Sequence, residues 1–267
     1  MQLEILEARG EGPRRPVDVL LVHGSYCSAW VWQPHVMPFL AAEGYTVHAL
    51  SLRGHGGSQS AVPLDRVGLA DYVADVTEAV ARIGRPVAVV GHSLGGAVAQ
   101  GAIASGLRFA GTALLSSVPP SGMLMATQRM FWHRPRLWFE LSRMMYAGVR
   151  DADPEVLRDG LFDNRISEDE FRRLSEQFCD ESPLAILELM SFRWFGAAKS
   201  EAGSVLVMGG SRDWLIGEAD VRQTALWYGT EPVIVQGLSH VAMLDPDWQS
   251  AAVILCEWLD KVTPGVD

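Results

Sequence analysis

Short apolar runs bounded by turn residues recur through the first half of the chain, and no other feature constrains its fold as tightly. They are Val17–Val22, Tyr45–Leu50, Pro86–Val90 and Gly111–Ser116. Runs this short and this rich in β-branched and apolar residues suit strands buried on both faces, the environment of a parallel sheet. The longer stretches between them carry helical spacing. Leu69–Ile83 sets Leu69, Tyr72, Val73, Val76, Val80 and Ile83 on one stripe, and Gly84 closes it. Pro38–Gly44 ends another helix, while Leu94–Gly106 is small and apolar almost all round, as a helix packed on a sheet would be. Near the C-terminus Val205–Met208 and Pro232–Val235 predict strands, and Gly217–Tyr228 and Pro246–Val262 predict helices. Such alternation predicts an α/β fold, a mostly parallel sheet with helices on both faces.

From Pro119 to Lys199 the strand pattern disappears. Met, Phe and Trp cluster there at helical spacing, among them Met130, Trp132, Trp138, Met144 and Met145. The expectation is an all-helical insertion over residues 119–199 between two parts of one core, 1–118 and 200–267. A hydrophobic fraction of 48% with 20% charged residues excludes a disordered chain. The net charge of −10 argues against nucleic acid as a partner, because counterion-release binding needs a basic face. Cys27, Cys179 and Cys256 are too few and too scattered for a disulfide framework or a metal knuckle. No apolar run approaches the roughly 20 residues of a membrane span, and MQLEILEARGEGPRRP lacks the apolar centre of a signal peptide. The expected protein is cytoplasmic, needs no metal or cofactor and acts on a small molecule. Its sequence is compatible with a monomer or a homodimer.

The strongest local signal is Gly91-His92-Ser93-Leu94-Gly95, followed by Gly96, where the run PVAVV ends and a buried helix begins. A nucleophile on so sharp a turn needs glycine neighbours, because a side chain at either position would collide with the adjoining strand or helix. The turn exposes the Ser93 hydroxyl and aims the N–H of Leu94 at charge developing on an attacked carbonyl. Serine at its ordinary pKa is a poor nucleophile and needs a base. Of the seven histidines, His240 lies on a loop between the last strand and the last helix, within reach of the same sheet edge. The base needs an acid behind it, and Asp213, directly after the strand SVLVM, ends on that edge. Asp245 and Asp247 follow His240 too closely and are expected to cap the last helix.

A second oxyanion donor is expected from His23-Gly24-Ser25 after VDVLLV, with the N–H of Ser25 as contributor and Tyr26 as the alternative. His23 reads as a structural histidine ordering this loop, and His92 as packing under the turn. Met130, Trp132 and Trp138 of the helical segment, with Tyr26 and Trp214, are expected as substrate contacts, although such Met and Trp stripes more often pack a core than line a pocket. Arg53–Ser58 lacks the lysine of a phosphate loop and reads as a structural turn.

Together, His23-Gly24, the Arg53–Ser58 turn, Gly91–Gly96, Asp213 and His240 resemble the α/β-hydrolase superfamily over nearly the whole chain. The resemblance implies a serine hydrolase with Ser93 as nucleophile, His240 as base, Asp213 as acid and the helical insertion as a cap. It further implies an ester-type substrate, as for a carboxylesterase or lactonase. Acyltransferases, carbon–carbon bond hydrolases and hydroxynitrile lyases use the same fold, and a non-catalytic binding protein would have no need of all three residues. A lyase usually wants a lysine at its site, and Lys199 and Lys261 fall near no strand end. Ser51 departs from the family, where many relatives carry aspartate two residues before the Arg-Gly-His-Gly turn. That change is expected to alter the turn's hydrogen bonds and leave the chemistry untouched.

Overall fold

A computed structural model describes residues 2–11, 14–190 and 203–262. Seven strands form one sheet: β1 (Ile5–Arg9), β2 (Asp18–Val22), β3 (Thr46–Leu50), β4 (Val87–His92), β5 (Gly111–Leu115), β6 (Ser204–Gly210) and β7 (Pro232–Val235). Their order is β1-β3-β2-β4-β5-β6-β7, parallel throughout except at β1. Along β2, Val19 and Leu21 enter one apolar core while Leu20 and Val22 enter the other. The unbroken apolar run is therefore a strand covered on both faces. Helices α1 (Val36–Ala42) and α10 (Trp248–Leu259) close the first core with Leu40 and Leu255. Helices α2 (Leu69–Ile83), α3 (Leu94–Ala104) and α9 (Glu218–Tyr228) close the second with Tyr72, Val98 and Val221. Each such side chain, fully buried, stabilises the fold by about 1.5–3 kcal/mol relative to exposure.

The expected strands all form, shifted at their ends by a residue or two. β1 was not foreseen. Its sequence ILEAR mixes acid and base with apolar residues and is only half-buried, because it is an edge strand added antiparallel to β3 through the register Ile5↔Leu50 to Arg9↔Thr46. Between β5 and β6 the described chain is helical: α4 (Leu124–His133), α5 (Pro135–Ala147), α6 (Pro154–Phe162), α7 (Glu168–Ser175) and α8 (Pro183–Met190). The expected end of this insertion at Lys199 lies outside the described residues. Parallel pairing of β2 to β7 brings the C-terminal ends of these strands to one edge, where ligands bind in open α/β sheets. The helical segment meets the core above that edge.

Candidate active site

Ser93 stands between β4 and α3 in the left-handed region, at φ 50° and ψ −116°. A non-glycine residue held there stores on the order of 1–3 kcal/mol of strain, and the surroundings hold it in place. Its N–H donates to the Leu115 carbonyl of β5 (3.1 Å), and its carbonyl accepts from Val118 (3.2 Å) and Gly96 (3.0 Å). The glycines are sterically required: a Cβ on Gly91 would sit 2.5 Å from the Gly95 carbonyl oxygen and 2.7 Å from Gly96 Cα. Leu94 is the first residue of α3, so no helical carbonyl takes its N–H, and the positive end of the helix dipole lies beside Ser93.

Asp213 follows β6 and is fully buried, as is nearly all of the His240 side chain. Its Oδ1 accepts from the N–H groups of Leu215 (2.9 Å) and Ile216 (2.8 Å). His240 Nδ1 donates to both carboxylate oxygens, at 3.0 and 2.9 Å. A carboxylate so placed fixes the imidazole with its proton on Nδ1, leaving the Nε2 lone pair to accept a proton. The His240 loop is tied down by Asp245, which accepts from the Ser239 N–H (3.0 Å), the Ser239 hydroxyl (2.6 Å) and Arg165 (3.0 Å). This corrects the expectation that Asp245 caps α10: its carboxylate organises the loop. Asp247 does occupy the N-cap position, but its side chain makes no capping bond and pairs with Arg165 at 2.5 Å. His92 Nε2 donates to the His240 carbonyl at 3.0 Å. Burial, with His240 nearby, holds His92 far below the usual imidazole range, so it acts as a neutral support.

The loop after β2 lies against this turn. A Cβ on Gly24 would stand 2.7 Å from His92 Nδ1 and 3.1 Å from Ser93 Cβ, so only glycine lets the loop approach so closely. His23 donates through Nδ1 to the Gly24 carbonyl (2.8 Å) and accepts the Leu52 N–H at Nε2 (3.0 Å). Tyr26 sits at φ 61°. Ser51, the departure from the family pattern, is compensated from β1's side of the sheet: its hydroxyl donates to Glu4 Oε2 (2.5 Å) and accepts the Ala29 N–H (3.0 Å).

Ser25, Ser93 and His240 open into one cavity of about 270 Å³. Its walls come mostly from the helical segment, with Met123, Met130, Met144, Met145 and Met190 beside Trp138 and Phe178. Among the described residues, no Asp, Glu, Lys or Arg side chain lines it.

A family model described as "Alpha/beta hydrolase family" matches residues 19–252. The chain belongs to the α/β hydrolase family. Among curated relatives, a pyrethroid hydrolase of Sphingobium wenxiniae is 37% identical over 84 residues, 30% of this chain and 28% of that protein. Epoxide hydrolase A of Mycobacterium tuberculosis is 33% identical over 157 residues, 57% of this chain and 47% of that protein. The matched part spans less than half the length of either. A thermophilic esterase from Thermogutta terrifontis shares the fold at a TM-score of 0.75 and 20% identity, over 98% of this chain and 94% of its own.

In this α/β hydrolase the residues expected at the site divide. Tyr26, Met130 and Trp138 line the cavity with Ser25, Ser93 and His240, while Leu94 lies buried at the head of α3. Trp132 and Trp214 do not line it. Trp132 is 71% exposed and packs edge-on against Phe131 on the outside of α4. Trp214 donates to Asp163 (3.1 Å) and lies under the Arg134 guanidinium, fastening the loop after β6 to the helical segment. Sequence reasoning missed Met123 and Met190 as walls and placed no weight on Leu215 or Val241. The last two follow Asp213 and His240 closely, and that adjacency was a usable signal. No membrane-crossing helix exists among the described residues.

Proposed function

We propose that this α/β hydrolase is a serine esterase of uncharged carboxylic esters, acting through an acyl-enzyme on Ser93 beneath a helical cap. The observation that carries this reading is one arrangement: a serine in the left-handed region at the head of a helix shares an apolar cavity with a histidine backed by a buried aspartate. His240 takes the Ser93 proton as the oxygen attacks the ester carbonyl. The negative charge rests on the N–H groups of Leu94 and Ser25, each such donor being worth about 2.7–4 kcal/mol of barrier. His240 then protonates the departing alcohol and, in the second half, activates water to release the acid. Ser93 favours this chemistry over that of the epoxide hydrolase branch, where an aspartate attacks. The described part of the wall carries no charged side chain, which favours neutral acyl and alcohol groups, because a buried unpaired charge is costly.

The test is hydrolysis of p-nitrophenyl esters from acetate to laurate by the wild type and Ser93→Ala, alongside labelling by a fluorophosphonate. Turnover that disappears in the variant, with labelling confined to Ser93, is the expected result. Turnover that survives Ser93→Ala would refute the assignment.

A further inference from the structure

Beside the oxyanion loop lies a buried polar cluster that the proposed chemistry does not use. Glu181, on the segment between α7 and α8, has no exposed side-chain surface, and neither has His55 of the Arg53–Ser58 turn. Glu181 Oε1 accepts from the Tyr72 hydroxyl (2.5 Å) and the Ser182 N–H (2.7 Å). Its Oε2 stands 3.3 Å from His55 Nε2, within ion-pair distance, and neither atom makes a hydrogen bond. His55 Nδ1 lies 3.0 Å from the Arg53 carbonyl. Both nitrogens of His55 therefore face oxygens, and beside an ionised Glu181 both oxygens only accept, which calls for a proton on each nitrogen. An ionised Glu181 and an imidazolium at His55 satisfy every one of these contacts. The charge balance agrees: burial opposes ionisation of both groups, yet each next to the other keeps His55 above and Glu181 below its usual range.

The pair leads to the site through His23, whose ring centroid is 5.2 Å from that of His55. His23 accepts from Leu52 and donates to Gly24, so it must be neutral with its proton on Nδ1. Burial first, and the positive charge of His55 second, depress its pKa to about 3. The same segment touches the loop directly: the Cys179 N–H donates to the Tyr26 carbonyl at 3.0 Å. The other ionisable groups facing the cluster are Tyr26, Cys27, Cys179, Tyr72, Asp75 and Asp180. The two thiols and Tyr72 are held neutral by burial and by Glu181.

We propose that Glu181 and His55 are positioning residues for the oxyanion loop: the carboxylate, carried by the helical segment, holds His55 as an imidazolium against His23, and His23 fixes the Gly24–Ser25 backbone. Seating of the helical segment over the core thereby sets the donor geometry beside Ser93. For its kinetic readout the proposal rests on the esterase reading.

Two measurements decide it. Nitrogen-15 NMR of labelled wild-type enzyme at neutral pH is expected to show His55, assigned by its loss in His55→Gln, with both ring nitrogens protonated. A single-proton, neutral His55 overturns the proposal, and this measurement needs neither turnover nor a stable Glu181 variant. In Glu181→Gln the carboxamide keeps the Tyr72 and Ser182 contacts and turns an NH2 group toward His55. Its kcat, normalised by phosphonate titration of active sites, is expected to fall by about tenfold to a hundredfold with KM little changed, short of the loss of an oxyanion donor itself. The double variant with His55→Gln should be no worse than the poorer single, as for residues acting as a unit. A normalised kcat within about twofold of wild type would overturn the positioning role and leave only packing. If the wild type hydrolyses no ester, the esterase reading alone fails, and the rate of phosphonate labelling at Ser93 carries the same comparison.

Discussion

Replacing Asp213 by asparagine tests the proposed triad, because the structure dictates which way the amide must point. Oδ1 of Asp213 receives two backbone N–H groups, from Leu215 and Ile216. The asparagine carbonyl must occupy that position, since the reverse orientation would leave two buried donors unsatisfied at about 1–3 kcal/mol each. The amide NH2 then takes the place of Oδ2, 2.9 Å from His240 Nδ1. The carbonyl left at Oδ1, 3.0 Å from Nδ1, is already shared by two backbone N–H groups, so the NH2 facing the ring favours the tautomer with its proton on Nε2, which presents an N–H to Ser93 where a lone pair is required. A base locked in the wrong tautomer costs about 10⁴ in kcat, or about 5 kcal/mol of barrier. The assay is p-nitrophenyl butyrate hydrolysis at neutral pH, with folding checked by circular dichroism. Asp213→Asn that folds and keeps more than about a tenth of wild-type kcat, a loss under 1.4 kcal/mol, would refute the tautomer reasoning.

Two further outcomes follow from the cavity and from the buried histidines. Trp138→Ala should lower kcat/KM for the longest acyl chains by about tenfold, through lost apolar contact in the cavity wall, whereas Trp132→Ala should stay within about twofold of wild type. A chain-length series in both variants checks this, and equal effects would misplace the wall. His23, neutral in the fold with a pKa of about 3 against 6.5 unfolded, contributes stability that is fully present above about pH 6.5 and is lost as pH falls toward 3. That component amounts to about 2 kcal/mol between pH 7 and pH 5. Urea denaturation at the two pH values should show a smaller difference in His23→Gln than in the wild type, and an unchanged difference would contradict the assignment.

The parallel strands, the turn at Ser93 and the chain order of Ser93, Asp213 and His240 were legible in the sequence because each is a local matter. A strand buried on both faces must be apolar along its length, and a serine on a strained strand-to-helix turn must have glycines beside it. The spacing of those runs also required crossovers, and crossovers place strand ends on one edge. Other features depend on what lies opposite in space. Trp132 and Trp138 lie on neighbouring helices in similar sequence surroundings, yet one faces solvent and the other the cavity, since the packing of α4 against α5 sets the phase of each. Asp245 looked like a helix cap from its neighbours, and the tertiary fold gave its carboxylate to Ser239 and Arg165 instead. β1 reads as polar because an edge strand needs only one good neighbour, and that neighbour, β3, lies some forty residues away. Glu181 matches no motif and is separated from His55 by more than a hundred residues. Local propensity and periodicity are carried by adjacent residues, so the sequence alone determined the elements and the turn that holds Ser93. Only the folded chain decides which distant charges are buried together, since the cost of burying each is offset by partners that the fold brings to it.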